Sequence, residues 1–69
     1  MATFIINKDK AGEWRWKLLA GNNQVIADSA EGYKRREDCI AGIRLVKRDA
    51  PAADVYDASE DPKKRVDGV

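Results

Sequence analysis

The sequence predicts a small α+β domain, in which a three-stranded antiparallel meander carries one helix and is followed by a short C-terminal strand. Three observations predict this fold. Residues 14–18 alternate apolar and charged side chains, as a strand with one buried face does. A helical pattern runs through about residues 35–49, with an apolar stripe that starts at Cys39 and reaches Ala50. Between them, the residues at 21–23 are typical of a tight turn that joins two strands.

The first two strands are predicted over residues 3–7 and 14–18. The first segment is short, apolar and β-branched, and a polar stretch containing a glycine separates it from the second. In the second strand, a period of two places both tryptophans on one face and Arg15 and Lys17 on the other. Tryptophans on one face of so small a protein are more often core than ligand platform, and we assign Trp16 to the core.

A third strand is predicted over residues 24–29. It is centred on apolar residues 25–27, but its alternation is weak, so the pattern leaves open which of its side chains point inward.

The helix is predicted from about Arg35 to Asp49. Pro51 ends it, because the residue before a proline is pushed out of the α region. Gly42 lies inside the helix, where glycine is unfavourable, and indicates a close approach of the helix to the sheet. The apolar stripe consists of Cys39, Ile43, Val46 and Ala50.

The chain after Pro51 is predicted to hold one more strand and then a tail. Residues 52–57 form the candidate strand, and residues 58–69 are polar and charged, which indicates disorder. The domain is therefore expected to span residues 1–57.

The amino-acid composition excludes several kinds of catalytic and metal sites. The 69 residues include one cysteine and no histidine, which excludes an intrachain disulfide, a zinc site from one chain and a histidine-activated nucleophile. We therefore predict no cofactor and no enzymatic activity. An enzyme that uses carboxylates alone stays as a weaker alternative, with the candidates Asp9, Glu13, Asp28 and Glu31. Cys39 is expected to be a buried, unreactive thiol, because it lies on the apolar stripe.

The net charge and the hydropathy of the chain argue against nucleic-acid and membrane partners. The net charge is +1, whereas nucleic-acid-binding domains usually have a strong basic excess. A nucleic-acid-associated accessory protein remains the alternative, and its candidate basic patch consists of Arg15, Lys17, Lys34, Arg35 and Arg36. The sequence has no long apolar run and its first seven residues do not resemble a signal peptide. A single thiol fits a reducing compartment. We expect no membrane partner and a cytoplasmic location.

The residues together resemble a known family. The stretch at residues 9–18, Asp-Lys-Ala-Gly-Glu-Trp-Arg-Trp-Lys-Leu, is similar to the signature of the YegP-like family of small bacterial proteins. The similarity continues through Glu31-Gly32-Tyr33 and the helix, and it covers roughly residues 3–56. The family often has Ser or Thr where this chain has Lys34, so a helix cap is expected to be missing here.

The resemblance implies a β-β-β-α-β unit that pairs with a second unit, either in tandem or in a homodimer. The two units form one sheet and exchange their last strands. For this chain it implies a homodimer whose interface contains Val55 and Tyr56, and we add Leu45 because it has no place in the core. The family brings no catalytic residues to this sequence.

The leading prediction for function is an uncharacterised, non-enzymatic homodimeric module that binds a protein or small ligand. The candidate ligand surface consists of Trp14, Arg15 and Lys17. The partner predicted with most support is a second copy of the chain, since neither a disulfide nor a metal stabilises so small a core.

Overall fold

The computed structural model describes all 69 residues of the chain. The elements follow the predicted order, with one further short strand at the end, and the predicted α+β class is confirmed. They are β1 (Thr3–Lys8), β2 (Trp14–Leu19), β3 (Val25–Asp28), α1 (Arg36–Asp49), β4 (Tyr56–Asp57) and β5 (Lys64–Arg65).

The first three strands form one antiparallel sheet with β2 in the centre. Ile6 of β1 lies opposite Trp16 of β2. The chain returns to the sheet after β3, where the N–H groups of Trp14 and Tyr33 each donate to the other residue's carbonyl, at 2.7 and 2.8 Å. No strand pairs with the outer edge of β1 or with that of β3.

The connection between β2 and β3 confirms the turn predicted at residues 21–23. Asn23 has a φ of 67°, and its N–H donates to the carbonyl of Ala20 at 2.9 Å. Asparagine tolerates this left-handed conformation better than most residues, because its short polar side chain can hydrogen-bond locally. The turn residues therefore match the conformation that the hairpin requires.

A bulge lies between β2 and β3. Leu18 pairs with Ala27 and Leu19 pairs with Val25, so Ile26 is an extra residue on β3. A bulge interrupts the alternation of side chains along a strand. This is the physical reason why the sequence pattern did not reveal an inward face for β3, all of whose residues are exposed.

The core lies between β2 and α1. Trp16 is 8% exposed and Cys39 is fully buried, which confirms both as core residues. The ring of Phe4 packs edge-on against Trp16, with ring centres 5.5 Å apart. A Cβ atom on Gly42 would lie 2.6 Å from the hydroxyl oxygen of Tyr33, so a side chain at position 42 would force the Tyr33 ring or the helix to shift.

The helix ends at Asp49 as predicted, but Ala50 does not leave the α region as expected. Ala50 keeps helical angles, φ −60° and ψ −38°, although Pro51 follows it. The chain tightens into a single 3₁₀ turn over Ala50–Ala52, and the N–H of Ala53 donates to the carbonyl of Ala50 at 3.2 Å. This turn offers the backbone a partner where the α-helical pattern stops.

Residues 54–67 form a C-terminal arm. The predicted strand at 52–57 is limited to Tyr56–Asp57, which pairs with Lys64–Arg65. Within the predicted tail, Lys64–Arg65 form the two-residue strand β5. An ion pair of 3.1 Å between Arg65 and Asp54 supports this short ladder, although every residue of the arm is exposed.

No helix combines the length and the apolar character that are needed to cross a lipid bilayer.

Candidate interaction surfaces

The carboxylate of Asp9 organises the connection between β1 and β2. Its Oδ1 accepts hydrogen bonds from the N–H groups of Ala11 and Glu13 at 2.9 and 3.0 Å. Its Oδ2 accepts one from Nε of Arg15 at 2.7 Å. The Arg15 contact first, and then the backbone bonds, hold the pKa of Asp9 below its ordinary value. The turn therefore engages the charges of both Asp9 and Arg15.

Arg15 and Lys17 line a shallow cleft on the sheet face that points away from α1. The cleft has a volume of about 220 Å³. Nη1 of Arg15 lies 3.5 Å from the carbonyl oxygen of Ala30. Asp28 also lines the cleft, so its charge is mixed and not uniformly basic. The remaining lining residues are Asn7, Trp16, Ser29 and Ala30.

Trp14, the third residue of the predicted ligand surface, does not line this cleft. Neighbouring residues of a strand point to opposite faces. Trp14 therefore shares the face of Trp16, and Nζ of Lys8 lies 5.1 Å from the centre of its ring. Trp14 is thus separated from Arg15 and Lys17 by the sheet itself.

The candidate basic patch is partly neutralised by its acidic neighbours. Nε and Nη2 of Arg35 donate to the carboxylate of Asp38 at 3.0 and 3.1 Å, which raises the pKa of Arg35. Arg15 is engaged by Asp9 in the same way. Lys34 and Arg36 are exposed. Phosphate backbones are bound by an excess of available cations, and this surface does not favour them.

The carboxylates that we considered for catalysis are not brought together as a metal site. No group of three or more Asp, Glu, Cys or His side chains is close enough to hold a metal ion. The side chain of Glu13 packs over Gly32, where an added Cβ would lie 2.8 Å from that of Glu13. Glu13 therefore supports the contact between the turn and the segment before α1.

The thiol of Cys39 is enclosed between α1 and the sheet. Burial raises the pKa of Cys39, against a smaller opposite effect of the Arg36 charge. A raised pKa keeps the thiol protonated, and the thiolate is the reactive form. The position fits the structural role that the sequence predicts.

An apolar groove lies between the C-terminal end of α1 and the start of the sheet, and the sequence pattern did not reveal it. The groove has a volume of about 510 Å³. Val46 and Ala50 belong to the predicted core stripe, but here they form one wall of an open surface. The only feature of the sequence that pointed to this groove was the extension of the apolar stripe of α1 to its C-terminal end. The lining residues are Ala2, Phe4, Leu18, Val46, Lys47, Ala50 and Pro51.

The predicted interface residues are all exposed in the single chain. Val55 and Tyr56 in the arm are 42% and 48% exposed, and Leu45 on α1 is 50% exposed. Leu45 does not line the apolar groove. The chain therefore presents two separate apolar features, the groove and the arm, with Leu45 apart from the groove.

Several known proteins are similar to this chain in sequence, and one solved structure is similar in fold. The model of a domain of unknown function, DUF1508, matches residues 9–57. A UPF0339 protein of Methanosarcina acetivorans is 47% identical over 53 residues, which are 77% of this chain and 90% of that relative. An NMR solution structure of a protein from Haloferax volcanii has a TM-score of 0.77 and 43% identity, over 81% of this chain and 93% of that one.

One relative is much longer than the shared unit. The UPF0339 protein in the ptx operon 5′ region of Stutzerimonas stutzeri is 51% identical over 49 residues, which are 71% of this chain but 43% of that relative. The chain thus spans less than half the length of this relative. Because the relatives include archaeal proteins, the family is wider than the bacterial group that the sequence resembles. The chain belongs to the DUF1508 or UPF0339 family, the YegP-like family of its sequence resemblance, and this family is one of unknown function.

Proposed function

We propose that the chain is a non-enzymatic module that works as a homodimer and exchanges its C-terminal arm with a second copy. The observation that carries this proposal is the surface area. The single chain exposes 5716 Å². A compact monomer of 7.7 kDa exposes about 4,300 Å², so the excess is about 1,400 Å². A standard interface removes about 800 Å² from each partner, and the excess is more than large enough for one.

The dimensions agree with the surface area. The radius of gyration is 14.6 Å and the extents are 39 × 27 × 20 Å. A compact domain of this length has a radius of about 11 Å. The single chain is therefore more extended than a self-contained domain, as expected for one half of an exchanged pair.

The arm supports the exchange in particular. Its hydrogen bonds and ion pairs join arm residues to one another, as between Val66 and Val55 or between Arg65 and Asp54. None of these bonds ties the arm to the three-stranded sheet. Val55 and Tyr56 remain exposed, and burial against a partner would remove this apolar area from water.

The small size of the core is a second reason to expect association. Trp16 and Cys39 are the only buried apolar side chains. A domain of about this size has little stability to spare even with a full core. A second copy would supply the missing apolar contacts. The relative that matches over 43% of its length leaves room for a second unit in one chain, which fits the same pairing.

We also propose a cytoplasmic location. A lone buried thiol needs no oxidising compartment, and reduced cysteines are the rule in the cytoplasm.

Sedimentation velocity at micromolar concentration tests the dimer. We expect the full chain to sediment as a dimer. A chain ended at Ala53 lacks the arm and should become monomeric and lose stability at the same time. The matched control is a chain ended at Asp57, which keeps Val55 and Tyr56 and should remain dimeric. A stable, folded monomer of the full chain would overturn the proposal.

A further inference from the structure

We propose that the shallow cleft on the sheet face that points away from α1 binds a small zwitterion, the head group of a free amino acid. Arg15 and Lys17 hold the carboxylate of this ligand, and Asp28 holds its ammonium group. The inference goes beyond the proposed homodimer and does not depend on it, because no residue of the arm lines the cleft.

The pairing of the strands brings charges of both signs to one place. Asp28 of β3 is the direct cross-strand partner of Lys17 of β2, and Asn7 of β1 is that of Arg15. The Cβ atoms of direct partners lie about 4.5–5.5 Å apart on one face of the sheet. These four side chains therefore surround one region of the sheet that a ligand of a few atoms can occupy.

Lys17 and Asp28 keep their charges available. Although they are direct partners, no ion pair joins them, and neither takes part in any other ion pair of the chain. A molecule with one charge of each sign matches this pair. A plain anion would instead meet Asp28 as a like charge, which is unfavourable at this distance.

The turn before β2 positions the guanidinium of Arg15. Its Nε donates to Oδ2 of Asp9 at 2.7 Å, and its Nη1 lies 3.5 Å from the carbonyl oxygen of Ala30. Both N–H groups of Nη2 have no partner in the chain and can donate to a carboxylate. Because this side chain is already ordered, less conformational entropy is lost when a ligand binds.

The backbone beneath the cleft is buried and hydrogen-bonded. The N–H of Ser29 donates to the carbonyl of Trp16 at 2.9 Å, and the N–H of Trp16 donates to Oγ of Ser29 at 3.1 Å. Both residues line the cleft and are among the few buried ones of the chain. A backbone supported in this way holds the charged side chains beside it at a fixed spacing.

Size and charge argue against larger or more highly charged ligands. The volume of about 220 Å³ lies below the range of about 300–1,000 Å³ for clefts that bind drug-sized molecules. Trp16 is buried, so no aromatic ring is open for a nucleobase to stack on. Asp28 in the cleft and Asp9 beside Arg15 balance the two cations, which disfavours a phosphate dianion.

The first test compares three probes of similar size that differ in their charges. L-alanine is the zwitterion, propionate lacks its ammonium group, and ethylammonium lacks its carboxylate. In NMR titrations of the isotope-labelled full chain at neutral pH, we expect alanine to shift the backbone signals of residues 28–30 and to saturate at roughly millimolar concentration. The other two probes should bind roughly tenfold or more weakly, because each leaves a charged partner in the cleft unused.

The second test assigns each charge to a side chain. Asp28→Asn should weaken the binding of alanine roughly tenfold without weakening that of propionate, whereas Lys17→Gln should weaken both. Asp61→Asn makes the same change at an exposed position outside the cleft, and it should bind alanine as the unchanged chain does. Unaltered NMR signals of α1 in each variant would show that the fold is intact.

Two results would overturn the proposal. Shifts that stay linear in alanine concentration and spread over the whole chain would mean that the cleft holds no ligand of this kind. Equal binding of alanine and propionate, unaffected by Asp28→Asn, would mean that the cleft takes a carboxylate alone and not a zwitterion.

Discussion

Close contacts explain the identity of some residues in this chain better than secondary-structure propensity does. Gly42 is unfavourable in a helix, yet a side chain there would meet the hydroxyl of Tyr33 and the indole nitrogen of Trp16. The indole N–H of Trp16 is itself buried without a hydrogen-bond partner. Both features indicate close packing where α1 crosses β2 and the segment that contains Tyr33.

We expect Gly42→Ala to destabilise the fold by about 1–3 kcal/mol, because overpacking outweighs the gain of about 1 kcal/mol in helix propensity. Chemical denaturation monitored by tryptophan fluorescence measures the change. Tyr33→Phe removes the nearest atom and should recover part of the loss in the double variant. A stabilised Gly42→Ala protein would show that the helix lies further from the sheet.

At the scale of elements, the sequence predicted what local chemistry determines. The alternation at Trp14–Leu18, the turn at Asn23 and the helix over residues 36–49 all follow from neighbours in the chain. The bulge at Ile26 and the ladder of β5 could not be predicted in this way. A bulge is a relation between two strands. The strand β5 has no apolar pattern, and only contacts within the arm, such as the ion pair of Arg65 with Asp54, accompany it.

The helix N-terminus offers a prediction at this scale. Arg35 occupies the N-cap with φ −120° and ψ 143° but provides no side-chain cap. Arg35→Ser should stabilise the protein by about 1 kcal/mol, reduced by a few tenths for the lost exposed ion pair with Asp38.

Thermal melting checks this prediction, since about 1 kcal/mol raises the midpoint of such a small domain by several degrees. Lys34→Ser is the control. It restores a residue type common in the family but lies one position before the observed cap. A gain for Lys34→Ser and none for Arg35→Ser would place the cap at residue 34.

The tail gives a second prediction for an element. A chain ended at Asp57 loses β5 and its exposed ion pairs. We expect the free energy of unfolding to change by less than about 0.5 kcal/mol, because exposed pairs and a two-residue ladder contribute little in water. Urea denaturation measures it. A much larger loss would mean that residues 58–69 dock on the rest of the protein.

At the scale of the whole molecule, the sequence indicated association by elimination, since it offers neither a disulfide nor a metal site. It could not indicate the apolar groove, because the gap between Phe4 and Val46 is set by how α1 crosses the sheet. Alternation and helical periodicity identify faces, whereas a groove depends on the distance between two faces. The ligand surface of Trp14, Arg15 and Lys17 stays a prediction, and the alternation of β2 already places Trp14 on the opposite face from the other two residues.

Coupled folding and association should make the melting temperature depend on concentration. Tenfold more protein favours the dimer by about 1.4 kcal/mol, which raises the midpoint by roughly 5 °C for two chains of this length. Scanning calorimetry at three concentrations measures the shift. A midpoint that stays constant across a hundredfold range would contradict the homodimer.

The proposed exchange of the arm would also set the kinetic order of folding. With exchange, the last step for each chain is a collision with another, so its half-time shortens as the number of newly made chains rises. A tandem pair in one chain makes the same step unimolecular, because a linker supplies a high local concentration of the second unit. Fusion of two units would thus make the rate of the last folding step independent of how fast new chains are made, whereas for separate units this rate depends on the concentration of new chains.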